Sequence, residues 1–448
     1  MSGAVADPAA LLGDLIAAAR RAGADMADAL YAQGESVSLD RRLGKLEQLE
    51  RSEGRDLGLR VFVGKRSAIV ATTGIAPAEF AALAERAVAM ARVLPEDPYA
   101  GLAAATGNAA QAAALELEDP VEPEVTELAA RAAAAEEAAL AVKGITNSEG
   151  AAVGWSRNSF LLVTSQGFQG GYALTSHSLS VTAVAGQGTQ MQRDYDFTSA
   201  RHAADLEDPA VIGHRAAERA LARLGPTRPK TAKLPVVYDR RVAGSLLGHL
   251  AGAINGAAVA RGTSFLKERM GSQIMAPGLA VIDDARRVRG LASRPFDGEG
   301  VATGRLALVQ DGVLASWILD SRSARQLGLA STGSASRGVG SVPGPGTTNL
   351  YLQPGTLTPA ALMADIPLGL YVTELIGMGV NGITGDYSRG AAGFMIRDGV
   401  LAEPVAEITI AGNLLDMLRA LTPANDLVFR RATDSPTVRV EGMTLAGA

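Results

Sequence analysis

The spacing of apolar residues changes period along the chain, and each change marks an element. Leu11, Leu12, Leu15, Ile16 and Ala19 recur at helical intervals after Asp7-Pro8. An acceptor side chain there caps free amides, and proline in the first turn loses no hydrogen bond. From Ala29 to Thr73 the period shortens toward two, in segments such as Ser36–Leu39, Leu57–Val63 and Ala68–Thr72. Polar or glycine turns separate them, which predicts an antiparallel meander. Helical spacing returns over Pro77–Val93 and Glu124–Val142, with Pro95–Glu122 expected as a long surface connection between them. Strands follow at Phe160–Thr164, Tyr172–Ala185 and Gln190–Phe197, and Asp208-Pro209 opens another helix running to Leu224.

Gly225-Pro-Thr-Arg-Pro-Lys-Thr-Ala-Lys-Leu-Pro235 is rich in proline and basic residues and has no apolar periodicity. It divides the chain into an N-terminal α+β domain (residues 1–225), a linker (226–235) and a C-terminal β-rich domain (236–448). The second half opens with strand Val236–Asp239 and a run without formal charge, Val242–Ala260. That run is nominally long enough to span a bilayer. It is built from alanine and glycine and interrupted by Ser245, His249 and Asn255, so a buried helix packed closely through small residues is expected instead. Gln310-Asp-Gly-Val-Leu-Ala315 is echoed by Arg397-Asp-Gly-Val-Leu-Ala402. Each Asp-Gly lies between β-prone residues, the signature of a type I′ hairpin. The expected class is α+β in two domains: N-terminal helices with an antiparallel sheet, then an antiparallel sheet or barrel with helices.

Charge narrows the possible partners. Lys and Arg number 42 against 47 Asp and Glu, a net of −5, and no long same-sign run supplies the basic footprint of a sequence-independent nucleic-acid binder. Aromatics at 4% leave few stacking platforms for bases. The absence of cysteine excludes disulfides, thiolate metal sites and cysteine nucleophiles, and fits a reducing cytoplasm. Asp7 precedes the first apolar run and Arg20 and Arg21 follow it, the reverse of an export signal.

The candidate chemistry is sparse. The histidines are His177, His202, His214 and His249, and no two have the spacing that presents a pair to one zinc from a helix. Each reads as structural or exposed, His249 as a hydrogen-bonded core histidine, while a site assembled from distant positions stays open. Asp283, Asp284, Asp297 and Glu299 offer hard oxygen donors for Mg²⁺ or Ca²⁺. Their spacing is not that of an EF-hand, and Asp297-Gly-Glu-Gly300 is equally good turn chemistry. Gly377-Met-Gly-Val-Asn-Gly382 is a literal GxGxxG, yet glycine-dense polar chain follows where a phosphate-facing helix is required. The segment Gly338–Gly346 lacks a P-loop lysine, and its prolines remove amides; it is expected as a loop at a mobile rim. No GxSxG elbow exists and no histidine follows His249, which argues against a serine hydrolase. Asp386, Tyr387 and Arg389 are polar anchors within glycine-rich Thr384–Phe394. They either line a surface where a sheet edge accepts a peptide, or form a tight hairpin with an Asp386–Arg389 pair.

At these residues the chain becomes recognisable. Asn381-Gly-Ile-Thr-Gly-Asp-Tyr-Ser-Arg-Gly-Ala-Ala-Gly-Phe394, followed by Pro404-Val-Ala-Glu-Ile-Thr-Ile-Ala-Gly-Asn413, resembles the TldD/PmbA family and its PmbA (TldE) branch, named as a modulator of DNA gyrase. Pro95–Leu102, Arg261-Gly-Thr-Ser264, Pro295–Val301 and Gly346–Leu352 extend the resemblance upstream. It implies a cytoplasmic metalloprotease complex acting on small or unfolded peptides. In the TldD branch a zinc HExxxH helix shortly precedes the Gly-Thr-Ser motif. Counting back from Gly262 sets its two histidines at Leu247 and Gly252 and its glutamate at Gly248. The resemblance therefore implies no catalytic residue and no metal in this chain. It implies zinc in a TldD-like paralogue that pairs with it, while the polar handles of Asp386, Tyr387 and Arg389 in glycine-dense chain mark them, on their own chemistry, as the expected substrate or partner contact. The alternatives are an autonomous homodimeric peptidase or hydrolase, and a regulatory binding protein acting on gyrase or toxin–antitoxin partners. Neither nucleic acid nor membrane contact is expected.

Overall fold

Asp7 begins the first helix as its sequence predicts. Its carboxylate accepts a hydrogen bond from the Ala9 amide at 3.1 Å, and Pro8 opens α1 (Pro8–Arg21). The computed structural model describes residues 7–448; residues 1–6, with which the expected N-terminal domain begins, lie outside the described residues. Leu12 and Leu15 of α1 and Phe80 and Ala84 of α2 (Phe80–Val93) bury against one end of a long antiparallel sheet. Its strands are β1 (Met26–Arg42), β2 (Lys45–Val63), β3 (Arg66–Thr72), β4 (Ile145–Thr164), β5 (Gln169–Ala185) and β6 (Gln192–Ala200), in the spatial order β3-β2-β1-β4-β5-β6. The expected meander is present, but β1 and β2 are far longer than the alternating segments, at 17 and 19 residues. Lys45–Asp56 is exposed on both faces, so no side-chain alternation records a ladder that backbone pairing sustains. Helices α3 (Val125–Leu140) and α4 (Pro209–Ala222) cover the other end of the sheet around Trp155 and Leu179.

The Pro95–Glu122 connection is not a plain surface loop. It carries a 3₁₀ helix, Ala109–Leu115, and buries Leu115 and Leu117. Arg325 donates to the carbonyls of Tyr99 and Leu102 at 2.8 and 3.0 Å, and the Gly107 amide donates to the Gly300 carbonyl at 2.8 Å. Its partners come from the distant half of the chain, which no local pattern reports.

The stretch expected as a linker is structured before its end. Strand β7 (Ala232–Tyr238) includes Pro235, which lies opposite a register jump between Val440 and Met443. A bulge is the setting in which a strand tolerates a residue without an N–H. Strands Val400–Asn413, Asp386–Arg397, Leu368–Ile376, β7 and Val438–Ala446 pair in that order. The ring closes where Thr409–Ala411 meets Thr444–Ala446. The C-terminal half thus holds a closed barrel, antiparallel except where β7 runs parallel to Leu368–Ile376. Both Asp-Gly hairpins form: φ is 50° and 73° at Asp311 and Gly312, and 48° and 81° at Asp398 and Gly399, as a type I′ turn requires.

The small-residue run is not one helix. Helix α5 (Arg240–Ala253) stops at Ile254, and the Asn255 side chain accepts from the Ala257 amide at 3.0 Å to cap a separate helix, Gly256–Ala260. Among the described residues no helix is long and apolar enough to cross a membrane. Leu246, Leu247 and Leu250 of α5 bury in the barrel core with Tyr238 and Tyr387.

Two further contacts help fasten the halves together. The loop expected as a mobile rim is docked on the sheet: a Cβ on Gly58 of β2 would stand 2.0 Å from the Val339 carbonyl, so glycine leaves the room it occupies. Beside it, Asp28 of β1 accepts from Arg60 Nε of β2 and from Arg337 Nη1, each at 2.8 Å. The three side chains are almost wholly out of solvent.

Candidate functional site

Helix α5 carries the positions at which the family resemblance sets a metal. Leu247 is buried in the core, and Gly248 and Gly252 lie on the outer face, where an added Cβ would meet open space. None of the three supplies a donor atom. His249 points inward and meets the edge of Tyr387 with 5.9 Å between ring centroids. Its Nε2 is buried without a hydrogen-bond partner, so the expected hydrogen-bonded core histidine is instead held by an aromatic contact. Burial first, and the Arg389 cation second, push its pKa below the ordinary value, leaving a neutral ring. His177 is buried 3.3 Å from Asp119, and His202 Nε2 meets the Glu116 carbonyl at 3.0 Å. Among the described residues no group of three or more histidine or carboxylate side chains is placed to hold a metal. The donor set at α5 therefore does not fit a zinc ion.

The four carboxylates singled out as ion donors are spent on the chain itself. Asp283 accepts from the Thr348 amide and hydroxyl, both at 2.7 Å, and Asp284 from the Arg286 amide at 2.9 Å. Asp297 accepts the amides of Glu299, Val301 and Ala335, each at 2.9 Å, while Glu299 accepts the Ser321 amide at 2.9 Å. These are fasteners for turns. Burial raises the pKa of Asp283, Asp297 and Glu299 in spite of those donors.

Asp386, Tyr387 and Arg389 begin the strand Asp386–Arg397, and strand parity separates them. Tyr387 and Arg389 face inward and Asp386 faces solvent. Asp386 accepts from the Thr384 hydroxyl at 2.6 Å. An Asp386–Arg389 pair does not form, because residues three apart on a strand lie on opposite faces. Tyr387 is 2% exposed, and its hydroxyl lies in the core beside that of Tyr238. Arg389 is 8% exposed, and its Nε donates to the Ile376 carbonyl at 3.3 Å.

Arg389 opens onto a cavity of about 520 Å³ between the two halves. Arg193 and Asp194 of β6, Arg223 after α4, Arg241 of α5, Glu374 and Arg431 complete its charged lining. Asp194 is held by Arg241 at 2.8 Å and Arg223 at 3.5 Å. Arg223 also pairs with Glu374, and Arg193 with Glu149 at 2.9 Å. Arg431 donates to the Arg241 carbonyl at 2.7 Å and lies 4.6 Å over the Phe197 ring. Among the described residues no carboxylate pairs with either Arg389 or Arg431. Of these arginines the glycine-rich context flags Arg389 alone. The others come from separate segments with no shared motif.

A long antiparallel sheet docked on a closed barrel, with the small-residue helix α5 packed in the barrel core, defines a two-part α+β protein. The family profiles agree along the chain: PmbA/TldA metallopeptidase domain 1 matches residues 27–91, the central domain 118–224 and the C-terminal domain 231–447. The chain belongs to the PmbA/TldD metallopeptidase family. It is 39% identical to the metalloprotease PmbA of Escherichia coli O157:H7 over 94% of this chain and 92% of that one. A PmbA homologue from Haemophilus influenzae is 33% identical over 96% and 94%. Among solved structures, a Bacteroides thetaiotaomicron protein named for a modulator of DNA gyrase superposes with a TM-score of 0.90 at 26% identity, covering 99% of this chain and 100% of that one. TldE from Thermococcus kodakarensis shares the fold, with a TM-score of 0.86 at 19% identity over 98% and 100%.

Proposed function

We propose that this chain is a subunit of a TldD/TldE-type cytoplasmic metalloprotease for small or unfolded peptides, and that it completes the substrate chamber without supplying the zinc. One observation carries the reading: the α5 positions of the zinc signature hold Leu247, Gly248 and Gly252, and none can donate to a metal. The metalloprotease name of the Escherichia coli relative supports the chemistry, and the TldE fold neighbour supports the branch. The metal then belongs to a TldD-like paralogue with an intact HExxxH. Ile376, Met378 and Ile383 are exposed apolar side chains around the strand that touches His249, the kind of surface an interface covers.

Purified alone, the chain is expected to run as a dimer by light scattering, to hold no stoichiometric zinc by metal analysis, and to cleave no unfolded peptide. Co-expressed with its paralogue, it is expected to give a mixed complex with chelator-sensitive peptidase activity. One tightly bound zinc per chain, with chelator-sensitive cleavage by the isolated protein, would sink the reading.

A further inference from the structure

We infer that the arginine-lined cavity between the two halves receives the C-terminal carboxylate of an extended peptide, with Arg389 and Arg431 as its charge partners. The inference takes its substrate class from the peptidase-subunit reading and adds to it a site and the end of the peptide that the site holds.

The charge arrangement comes first. Asp194, Glu374 and Glu149 answer Arg193, Arg223 and Arg241, which leaves Arg389 on the cavity with no carboxylate partner among the described residues, and Arg431 with no direct ion pair there, only the longer-range attraction of Asp434. A buried cation with no counter-charge is costly to fold around. Arg389 is nevertheless buried, and its one hydrogen bond among the described residues is the Nε contact to Ile376. Its terminal nitrogens stay free for a carboxylate, whose two oxygens match the planar fork.

The backbone around the cavity favours a peptide end over a phosphate. A phosphate site uses free amides at a helix N-terminus, but Asp239 already caps α5 there, accepting from the Arg241 amide at 2.8 Å. An extended chain, by contrast, finds a sheet edge. Strand β7 pairs with Leu368–Ile376 only as far as Tyr238 opposite Val372, and the Asp239 amide then takes the Val372 carbonyl at 2.9 Å. On the other side the ladder to Asp386–Arg397 runs on to Ile376 opposite Gly390, past a bulge between Val372 and Glu374. Thr373, Glu374 and Leu375 therefore line the cavity from a strand with one unpaired side, the geometry of β-strand addition. The Ile376 carbonyl at the end of this edge anchors Arg389, so the strand that would pair with a peptide also aims the guanidinium at its terminus. A volume of about 520 Å³ admits the last residue or two of a chain.

The test measures binding of a short, unstructured, fluorescently labelled peptide to the purified full chain by anisotropy. The peptide is prepared with a free C-terminal carboxylate and with a C-terminal amide. The free acid is expected to bind at least about tenfold tighter than the amide, a difference of about 1.4 kcal/mol, and the preference is expected to shrink with added salt. Arg389→Gln and Arg431→Gln are each expected to bring the acid down toward the amide, with the amide's own affinity little changed. Equal binding of acid and amide by the unmodified chain overturns the proposal, and needs no variant to fold. A preference that survives in both variants also overturns it, as does displacement of the peptide by inorganic phosphate where chloride of equal ionic strength has no effect. The subunit reading fails separately. A zinc-free mixed complex without peptidase activity would remove that reading while acid-selective binding stood, and an active mixed complex with acid-blind binding would remove the site alone.

Discussion

Asp28→Asn should cost the folded chain about 3–5 kcal/mol, the usual loss when one partner of a buried ion pair is removed. The carboxylate stands between Arg60 Nε and Arg337 Nη1 at 2.8 Å each, and all three side chains are buried where the N-terminal sheet meets the C-terminal half. Glu299 lies 3.8 Å from Arg60, and Asp320 acts on it from farther away. Asparagine keeps the shape and removes the charge, so two guanidinium groups face each other across a dry contact. The urea midpoint of unfolding measures the loss, and acid identifies its source. Burial alone would raise the Asp28 pKa, but the Arg60 and Arg337 cations outweigh it and hold it below the ordinary value of 3.8. A depressed folded pKa gives stability that is complete above the unfolded value and disappears as pH falls through the folded one. The gap between unmodified and Asp28→Asn protein should therefore be full near neutrality and close as pH drops below about 4. Asp283, Asp297 and Glu299 have the opposite sign, because their raised values cost stability at neutral pH and release it on protonation. Asp283 is present in both proteins and cancels in the difference, whereas Glu299 shares Arg60 with Asp28 and can take up part of the released charge. A gap that stays constant down to pH 3 would assign the loss to packing and not to charge.

This clasp also shows where reading the chain stops. The Asp-Gly hairpins were legible because positive φ at consecutive residues is a local demand that few residue pairs meet, and helix starts at Asp7 and Asp208 were legible for the same kind of reason. The break in the small-residue run was missed, because its overall apolar length outweighed Asn255-Gly256, which caps the second helix. Strand β2 was half hidden, because Lys45–Asp56 has no buried face to alternate with. Arg389 stood out from its glycine-rich surroundings, whereas its inward aim depends on strand parity, and parity needs a register. Arg241, Arg193 and Arg431 reach the same cavity from α5, β6 and the chain beyond the barrel strand Val400–Asn413. Only tertiary pairing makes them one site.

Gly393→Ala should be the costliest single methyl added to the barrel, at about 3 kcal/mol or more, the upper range for overpacking against structure that cannot yield. A Cβ at Gly393 would sit 1.9 Å from the Tyr371 carbonyl and 3.0 Å from the Val372 Cα. Both obstacles are backbone of the neighbouring strand, so no rotamer change relieves them. Register slips on both strands at this point, between Val372 and Glu374 and between Ala391 and Gly393, and the barrel bends where the two chains come closest. The damage should travel toward the arginine cavity. The Tyr371 hydroxyl donates to Asp239 at 2.9 Å, and the same Asp239 caps α5 and holds the Val372 carbonyl beside the open sheet edge. Gly248→Ala is the matched opposite. Its Cβ meets open space on the exposed face of α5, and replacing an exposed helical glycine with alanine should stabilise the isolated chain by about 0.5–1 kcal/mol. Urea unfolding of the two variants beside the unmodified chain gives shifts of opposite sign if the barrel closes as described. A Gly393→Ala protein as stable as its parent would mean that the strands around Tyr371 can part, and that the edge beside Arg389 is not held in place by the barrel.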